Sequence, residues 1–274
     1  MSFDRTHARH DPAHCLTPGL FRSLKRGERK KLKLDVTHKY GDDSLRFTGF
    51  EPLDRADMRL LQGIVAMAGP AGIILSPEPK TEIGQQLRLL LDPQFDAAEK
   101  DARVVKATTS HLLKEIGMTD GGDNIKAILA SLHRMANVTV LVQRGGRQAV
   151  FHLLSYAFDQ DDGRLLVALN PRVTEAILGE RSHARISMPE VRALQSDPAA
   201  FMHQHLSGWI DPGKTREVGM DTLCSYVWFG KTENANTLKT RYQAVRKGLA
   251  ELVTLGWAVE EYAKNKFKIG RPAV

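Results

Sequence analysis

The sequence predicts an α+β chain of two tandem winged-helix domains, and three observations carry that expectation. The last fifty residues hold a short helix, a longer amphipathic helix and a lysine-tipped hairpin, in the order of a major-groove reader. A second run in the same order lies about 110 residues upstream. Each run is preceded by an amphipathic stretch, residues 54–68 and 189–210. The expected boundary divides a domain over residues 1–178, with a basic N-terminal segment, from one over residues 179–274.

Taken along the chain, the first distinct feature is the basic run at residues 25–33, Lys-Arg-Gly-Glu-Arg-Lys-Lys-Leu-Lys. Leu32, Leu34 and Val36 alternate with Lys31, Lys33 and Asp35, so the run passes into a strand. It is read as a phosphate-binding arm, a charge-guarded strand edge or a solvated loop. Residues 109–117 then give a short helix ended by glycine. Residues 123–136 give a longer helix with Ile125, Ile128, Leu129, Leu132 and Met135 on one face. A strand over residues 138–142, a turn over 143–147 and a second strand over 149–156 complete the first unit.

The exposed face of that longer helix offers Lys126, Ala127, Ala130, Ser131 and Arg134, with Asn124 near its start. Its alanines suit close approach to a DNA backbone or a thymine methyl, and equally a face against another protein domain. Arg144 and Arg147 in the turn suit phosphates better than bases.

In the second unit residues 221–228 form the short helix, 236–254 the long one, and 257–269 two strands joined at Ala-Lys-Asn-Lys over 263–266. Leu238, Tyr242, Val245, Leu249 and Leu252 recur at the period of a half-buried helix. At roughly 100° per residue the opposite side carries Lys239, Thr240, Gln243, Arg246 and Lys247. Lysine and arginine serve phosphates, while glutamine and arginine read base edges. Lys264 and Lys266 tip the hairpin.

Charge placement points the same way. The chain has 39 Lys and Arg against 32 Asp and Glu, with a formal net charge of +7. Residues 1–39 hold ten basic and four acidic residues, and residues 214–274 hold eleven and six, leaving 18 and 22 between them. Both ends are positive around a slightly negative middle, which suits a polyanion and salt-sensitive binding.

Enzyme and metal chemistry find little support. Residues 208–215, Gly-Trp-Ile-Asp-Pro-Gly-Lys-Thr, satisfy the letters of a phosphate-binding loop. A working loop follows a strand and opens a helix. Here a helix is expected before it and a turn within it, which leaves a nucleotide-driven enzyme using Lys214 and Thr215 as a minor alternative. His10, His14 and Cys15, or His203 with His205, lack four ligands at a recognised spacing. No catalytic residue, cofactor or metal is expected. Two distant cysteines, Cys15 and Cys224, and the absence of a long apolar stretch indicate a cytoplasmic protein without a membrane partner. Cys224 is expected to be a core thiol.

Several stretches resemble the iteron-binding replication initiators of plasmids, most closely the RepC-type initiators of IncQ-type broad-host-range plasmids. They are residues 9–16 (Arg-His-Asp-Pro-Ala-His-Cys-Leu), 20–29 (Leu-Phe-Arg-Ser-Leu-Lys-Arg-Gly-Glu-Arg), 61–70 (Leu-Gln-Gly-Ile-Val-Ala-Met-Ala-Gly-Pro), 186–194 (Ile-Ser-Met-Pro-Glu-Val-Arg-Ala-Leu), 208–215 and 221–224 (Asp-Thr-Leu-Cys). The resemblance covers residues 10–272 and implies two winged-helix domains on double-stranded origin DNA, bound at direct repeats called iterons. It implies opening of a neighbouring AT-rich segment for a plasmid-encoded helicase and primase, and admits a homodimer. Base contact is implied chiefly for the C-terminal domain. The loop over residues 231–235 and the face of the first long helix depart most from the relatives. A tandem winged-helix transcriptional regulator and a protein-interaction scaffold remain as alternatives.

Overall fold

The computed structural model describes residues 6–69, 72–230, 232 and 234–273. Lys231 and Glu233, in the loop expected to diverge, lie outside the described residues. The elements run β1 (His7–His10), α1 (Pro12–Leu16), β2 (Leu34–Tyr40), β3 (Asp43–Gly49), α2 (Arg55–Ala68), β4 (Ile73–Leu75), α3 (Glu82–Leu91), β5 (Gln94–Phe95), β6 (Ala102–Thr108), α4 (Thr109–Glu115) and α5 (Gly122–Ala136). They continue with β7 (Thr139–Arg144), β8 (Arg147–His152), β9 (Leu154–Phe158), β10 (Arg164–Leu169), α6 (Pro171–Leu178), β11 (Ala184–Ser187), α7 (Met188–Ala193) and α8 (Asp197–Trp209). The last are β12 (Thr215–Gly219), α9 (Met220–Val227), α10 (Ala235–Thr254), β13 (Ala258–Ala263) and β14 (Lys266–Gly270). The chain is α+β.

In the C-terminal third, helix α8 leads through β12 to α9, α10 and the β13–β14 hairpin, whose strands form an antiparallel sheet in the order β12-β14-β13. The first unit repeats the sequence of elements but elaborates the sheet. Its β7–β8 hairpin turns at Gly145 and Gly146, both at positive φ (50° and 84°), where a side chain would be strained. β7 joins a five-stranded sheet, β2-β3-β7-β8-β5, while β6 belongs to a second sheet, β4-β6-β10-β9. Only buried Leu153 separates β8 from β9, so the chain crosses between the sheets there and donates the Leu153 N–H to the Val138 carbonyl at 2.8 Å.

The stretch expected as one helix over residues 189–210 is two. α7 stops at Leu194, and Ser196 caps α8 by accepting the Ala199 N–H at 3.3 Å, with Pro198 in its first turn. A serine cap followed by a first-turn proline favours a new start over a continuous helix. Strand β12 is a further difference, formed because Thr215–Gly219 pairs with Gly270–Lys266. The N-terminal β1 pairs antiparallel with β11, His7 opposite Ser187 and His10 opposite Ala184. That ladder crosses the expected 178/179 boundary.

One apolar core runs through both units, from Ala8 through Leu61, Leu132 and Val173 to Leu249 and Ile269. A smaller cluster of Leu75, Leu87, Leu91, Ala102, Val104 and Ala168 lies under α3. Polar ties cross between the units: Gln62 donates to Gln204 at 2.7 Å, Arg55 to the Leu194 carbonyl at 2.6 Å, and Arg192 to the Glu115 carbonyl at 3.1 Å.

His10 and His14 sit in this core with ring centroids 5.7 Å apart, and His14 meets Phe47 edge-on at 5.2 Å. Burial, reinforced by His14 for His10 and by Arg172 for His14, pushes both pKa values down to about 3. Both rings are therefore neutral in the folded chain, yet would bind a proton below about pH 6.5 when unfolded. Stability is full above that pH and falls as pH drops from 6.5 toward 3. Denaturant titrations between pH 7.5 and 5 should show little change down to about pH 6.5 and, below it, a loss approaching about 1.4 kcal/mol per pH unit for each such histidine. His14→Phe should flatten the slope by one such increment; an unaltered slope would mean that the folded chain binds that proton.

Candidate nucleic-acid interface

Helix α10 is set by its two ends and its apolar stripe. Asn234 caps it, accepting the Thr237 N–H at 2.9 Å. Near the other end Glu251 accepts the Gln195 and Ser196 N–H groups at 2.9 and 3.2 Å, tying α10 to the start of α8. Val245, Leu249 and Leu252 are buried, and Leu238 and Tyr242 are partly so. Gly248 lets the helices close up, since a Cβ there would lie 2.9 Å from the Ala199 backbone nitrogen. The Tyr242 hydroxyl donates to Asp221 on α9, a bond to a carboxylate that pushes its pKa up to about 12. With this side fixed inward, Lys239, Thr240, Gln243, Arg246 and Lys247 all stand exposed opposite.

The hairpin beside that face turns at Lys264 and Asn265, the latter in the left-handed region at φ 60°, which asparagine tolerates better than most residues. Lys264 and Lys266 are exposed at the tip. Along the outer face Glu217 and Glu260 both pair in register with Lys268, so the sheet surface is charge-compensated and its positive character concentrates at the tip. Arg246 is exposed but engaged. Its Nη2 donates to Glu261 Oε1 at 2.9 Å and Asn265 Oδ1 at 3.0 Å, and the guanidinium lies over the Phe267 ring at 5.5 Å.

The basic N-terminal run meets the start of α10. A groove of about 670 Å³ separates them, with Lys25 and Lys33 on one wall and Thr240, Arg241, Trp228 and Phe229 on the other. Arg22 braces the first wall, donating to the Lys33 carbonyl at 3.2 Å and stacking over Phe229 at 5.0 Å. Arg241 stacks on Trp228 at 5.2 Å. Arg29 of the run turns inward to Asp54 and Asp57, while Lys25, Arg26, Lys30, Lys31 and Lys33 remain exposed. Sequence periodicity gave no sign of this juxtaposition, because it joins segments about two hundred residues apart.

The corresponding face of α5 is poorer than expected. Lys126, Ala127 and Ala130 are exposed, and Asn124 donates to the Thr119 carbonyl at 2.8 Å. Ser131 is buried and donates to Asp57, and Arg134 Nη2 donates to the same carboxylate at 2.7 Å. These two therefore correct the expected exposed face: Asp57, in the first turn of α2, draws both inward. Within the hairpin Arg144 and Arg147 are both exposed, and Arg144 Nε donates to Asp43 Oδ1 at 2.5 Å. Asp43 also receives Arg172 Nη1 at 2.6 Å and Arg181 Nη1 at 3.3 Å. Burial alone would raise its pKa, but Arg172 and Arg144 hold it below the usual carboxylate range.

Other motifs resolve into structure. Around residues 208–215, α8 ends at Trp209, Gly213 turns at φ 74° and β12 follows, so the lettered motif opens no helix. His203 Nε2 donates to Glu190 Oε2 at 2.8 Å, and His205 stacks on Tyr226 at 3.5 Å. Among the described residues no group of three metal-ligating side chains comes together, and no helix is long and apolar enough to cross a membrane. Cys224 is buried, and burial and Asp221 push its pKa up to about 11.

The fold is α+β and leaves a basic, exposed face on α10 and its hairpin. The chain belongs to the replication protein C (RepC) family, whose family model matches residues 2–273, and it is a replication initiator. No curated protein sequence matches it. Two crystal structures of domains 2 and 3 of RctB share its fold. One, of the selenomethionine derivatives, has a TM-score of 0.55 at 10% identity over 96% of this chain and 99% of that one. The other has a TM-score of 0.54 at 10% identity over 94% and 95%.

Asp57 is predicted to dominate the anchoring of α5. Asp57→Asn leaves Arg29 and Arg134 without their common counter-charge and should cost about 3 kcal/mol by denaturant unfolding. A loss below about 0.5 kcal/mol, the level of an ordinary surface substitution, would show that the arginines re-pair with solvent instead.

Proposed function

We propose that this initiator acts by binding double-stranded plasmid origin DNA at direct repeats, with its two units as winged-helix modules. The observation that carries the reading is the exposed polar face of α10, Lys239, Thr240, Gln243, Arg246 and Lys247, set beside the lysine tip of its hairpin. In this arrangement α10 enters the major groove, where Gln243 suits adenine N6 and N7, while Lys239, Lys247, Lys264 and Lys266 hold phosphates. Lys25 and Lys33 continue the phosphate track across the groove at the start of α10.

The first unit contributes position rather than base readout. Of its candidate contact residues, Lys126 on α5 and Arg147 in the hairpin are exposed, and Arg144 is in part committed to Asp43. Ser131 and Arg134 drop out of the proposed interface because Asp57 holds them. Two units on one duplex favour local bending and opening of an adjacent segment, onto which a plasmid-encoded helicase and primase load. Cytoplasmic action, self-association as a homodimer and the absence of a catalytic step of its own belong to the same proposal.

Equilibrium binding at near-physiological salt, to tandem direct repeats from the cognate origin against a scrambled duplex of equal length, tests it. A preference of roughly a thousandfold, with one protein added per repeat, is the expected result. Equal weak binding to both duplexes would instead favour a protein-interaction scaffold, and preference for a palindrome a transcriptional regulator. Gln243→Ala should cost about 1–3 kcal/mol on the repeats alone. Lys266→Ala should weaken both duplexes alike and reduce the salt slope by about one.

A further inference from the structure

An arginine guanidinium offers two pairs of parallel donors, Nε with Nη2 and Nη1 with Nη2. Arg46 shows the first pair in use, its Nε and Nη2 meeting Asp35 at 2.9 and 2.8 Å. In Arg246 the Nη2 donor is already engaged twice, by Glu261 Oε1 and by Asn265 Oδ1. Because Nη2 belongs to both pairs, each bidentate edge of Arg246 includes a donor that is already engaged in the free protein. Only Nε and Nη1 remain, and they lie in no common edge.

The arrangement is braced from three sides. Glu261 Oε1 also accepts the Asn265 N–H at 2.8 Å, which fixes the left-handed turn that carries the Asn265 side chain. Phe267 supports the guanidinium from below. Glu261 points to this inner side because Val218, Phe267 and Glu261 share one register across the sheet, whereas Glu260 shares the outer register with Lys268 and Glu217.

We propose that Glu261 is a specificity-determining residue, a gate that keeps Arg246 from forking onto phosphates and yields it only to a base edge that rewards both donors. The inference rests on the DNA-binding reading above. A phosphate can take one donor from Nη1 without disturbing the gate. Guanine O6 and N7 require a pair of donors, so Arg246 must leave Glu261 and Asn265 to read them. Glu261 thus lowers affinity for arbitrary DNA more than affinity for a matched site, and widens the ratio between them.

Glu261→Ala is the direct test, measured at one fixed salt concentration on the repeat and scrambled duplexes. Removing any carboxylate near DNA raises affinity, so Glu260→Ala serves as the charge-matched control. Glu261→Ala should tighten the scrambled duplex by roughly two- to fivefold beyond that control, the scale of an exposed ion pair, and narrow the repeat-to-scrambled ratio. In an Arg246→Ala background this excess should vanish. Glu261→Gln, which keeps an acceptor for the Asn265 N–H, should shift the scrambled duplex in the same direction and guards against a disordered turn. Equal effects of Glu261→Ala and Glu260→Ala, an unchanged ratio, or an excess that survives Arg246→Ala would each overturn the gate. The scrambled-duplex arm decides the gate even where the wild type shows no preference for repeats, an outcome that would instead remove the iteron reading.

Discussion

A buried carboxylate organises the first half of this molecule. Asp57 occupies the third position of α2, where it completes a capping box by accepting the Asp54 N–H at 2.9 Å while Asp54 accepts the Asp57 N–H at 3.3 Å. A charge fully withdrawn from water must be met by opposite charge and hydrogen bonds. Arg29, Ser131 and Arg134 supply them from two other segments. The rotation of α5, the seat of the basic N-terminal run and the start of α2 are consequently one arrangement. Its cost is chemical: the two most polar residues near the end of α5 are consumed internally, and the helix keeps a face of alanine and lysine.

That expenditure explains why two units with the same order of elements differ in surface. In α10 the corresponding anchoring is done by apolar side chains, by Glu251 against backbone N–H groups and by Tyr242 on Asp221, none of which draws on the opposite face. Lys239 and Lys247 of α10 therefore stay in solvent. Gln62 with Gln204, Arg55 with the α7–α8 loop and Arg192 with Glu115 then join the units through direct polar contacts as well as a shared core. A surface basic in one part and braced in another is presented as a single body.

Much of this was legible in the sequence, for identifiable reasons. The stripe of α10, the short α9 and the lysine-tipped hairpin are local patterns, and local periodicity reports them directly. The division of residues 189–210 is also encoded locally, by the Ser196 cap and Pro198, beneath an apolar pattern that runs on through both helices. What periodicity cannot report is which distant group claims an exposed-looking side chain. Ser131 and Arg134 fall on the polar side of α5 by angle, yet a carboxylate about 75 positions earlier takes them. Arg246 reads as a free base reader until Glu261 and Asn265 are brought to it by the hairpin. Strands β1, β11 and β12 are only four or five residues long and owe their form to partners elsewhere.

The pairing of β1 with β11 also orders events in time. His7 and Ser187 are neighbours in the ladder although 180 positions separate them in the chain. At roughly 5–20 residues per second of synthesis, the first strand leaves the ribosome about 10–40 s before its partner exists. During that interval the segment carrying β1 and α1 has neither its ladder nor the α8 surface on which α1 packs. Closing so long a loop is an entropic cost met only once the C-terminal third is available to reward it. The residues of β1 are thus among the last of this chain to be fastened, and the strand stays unclaimed until β11 has been made.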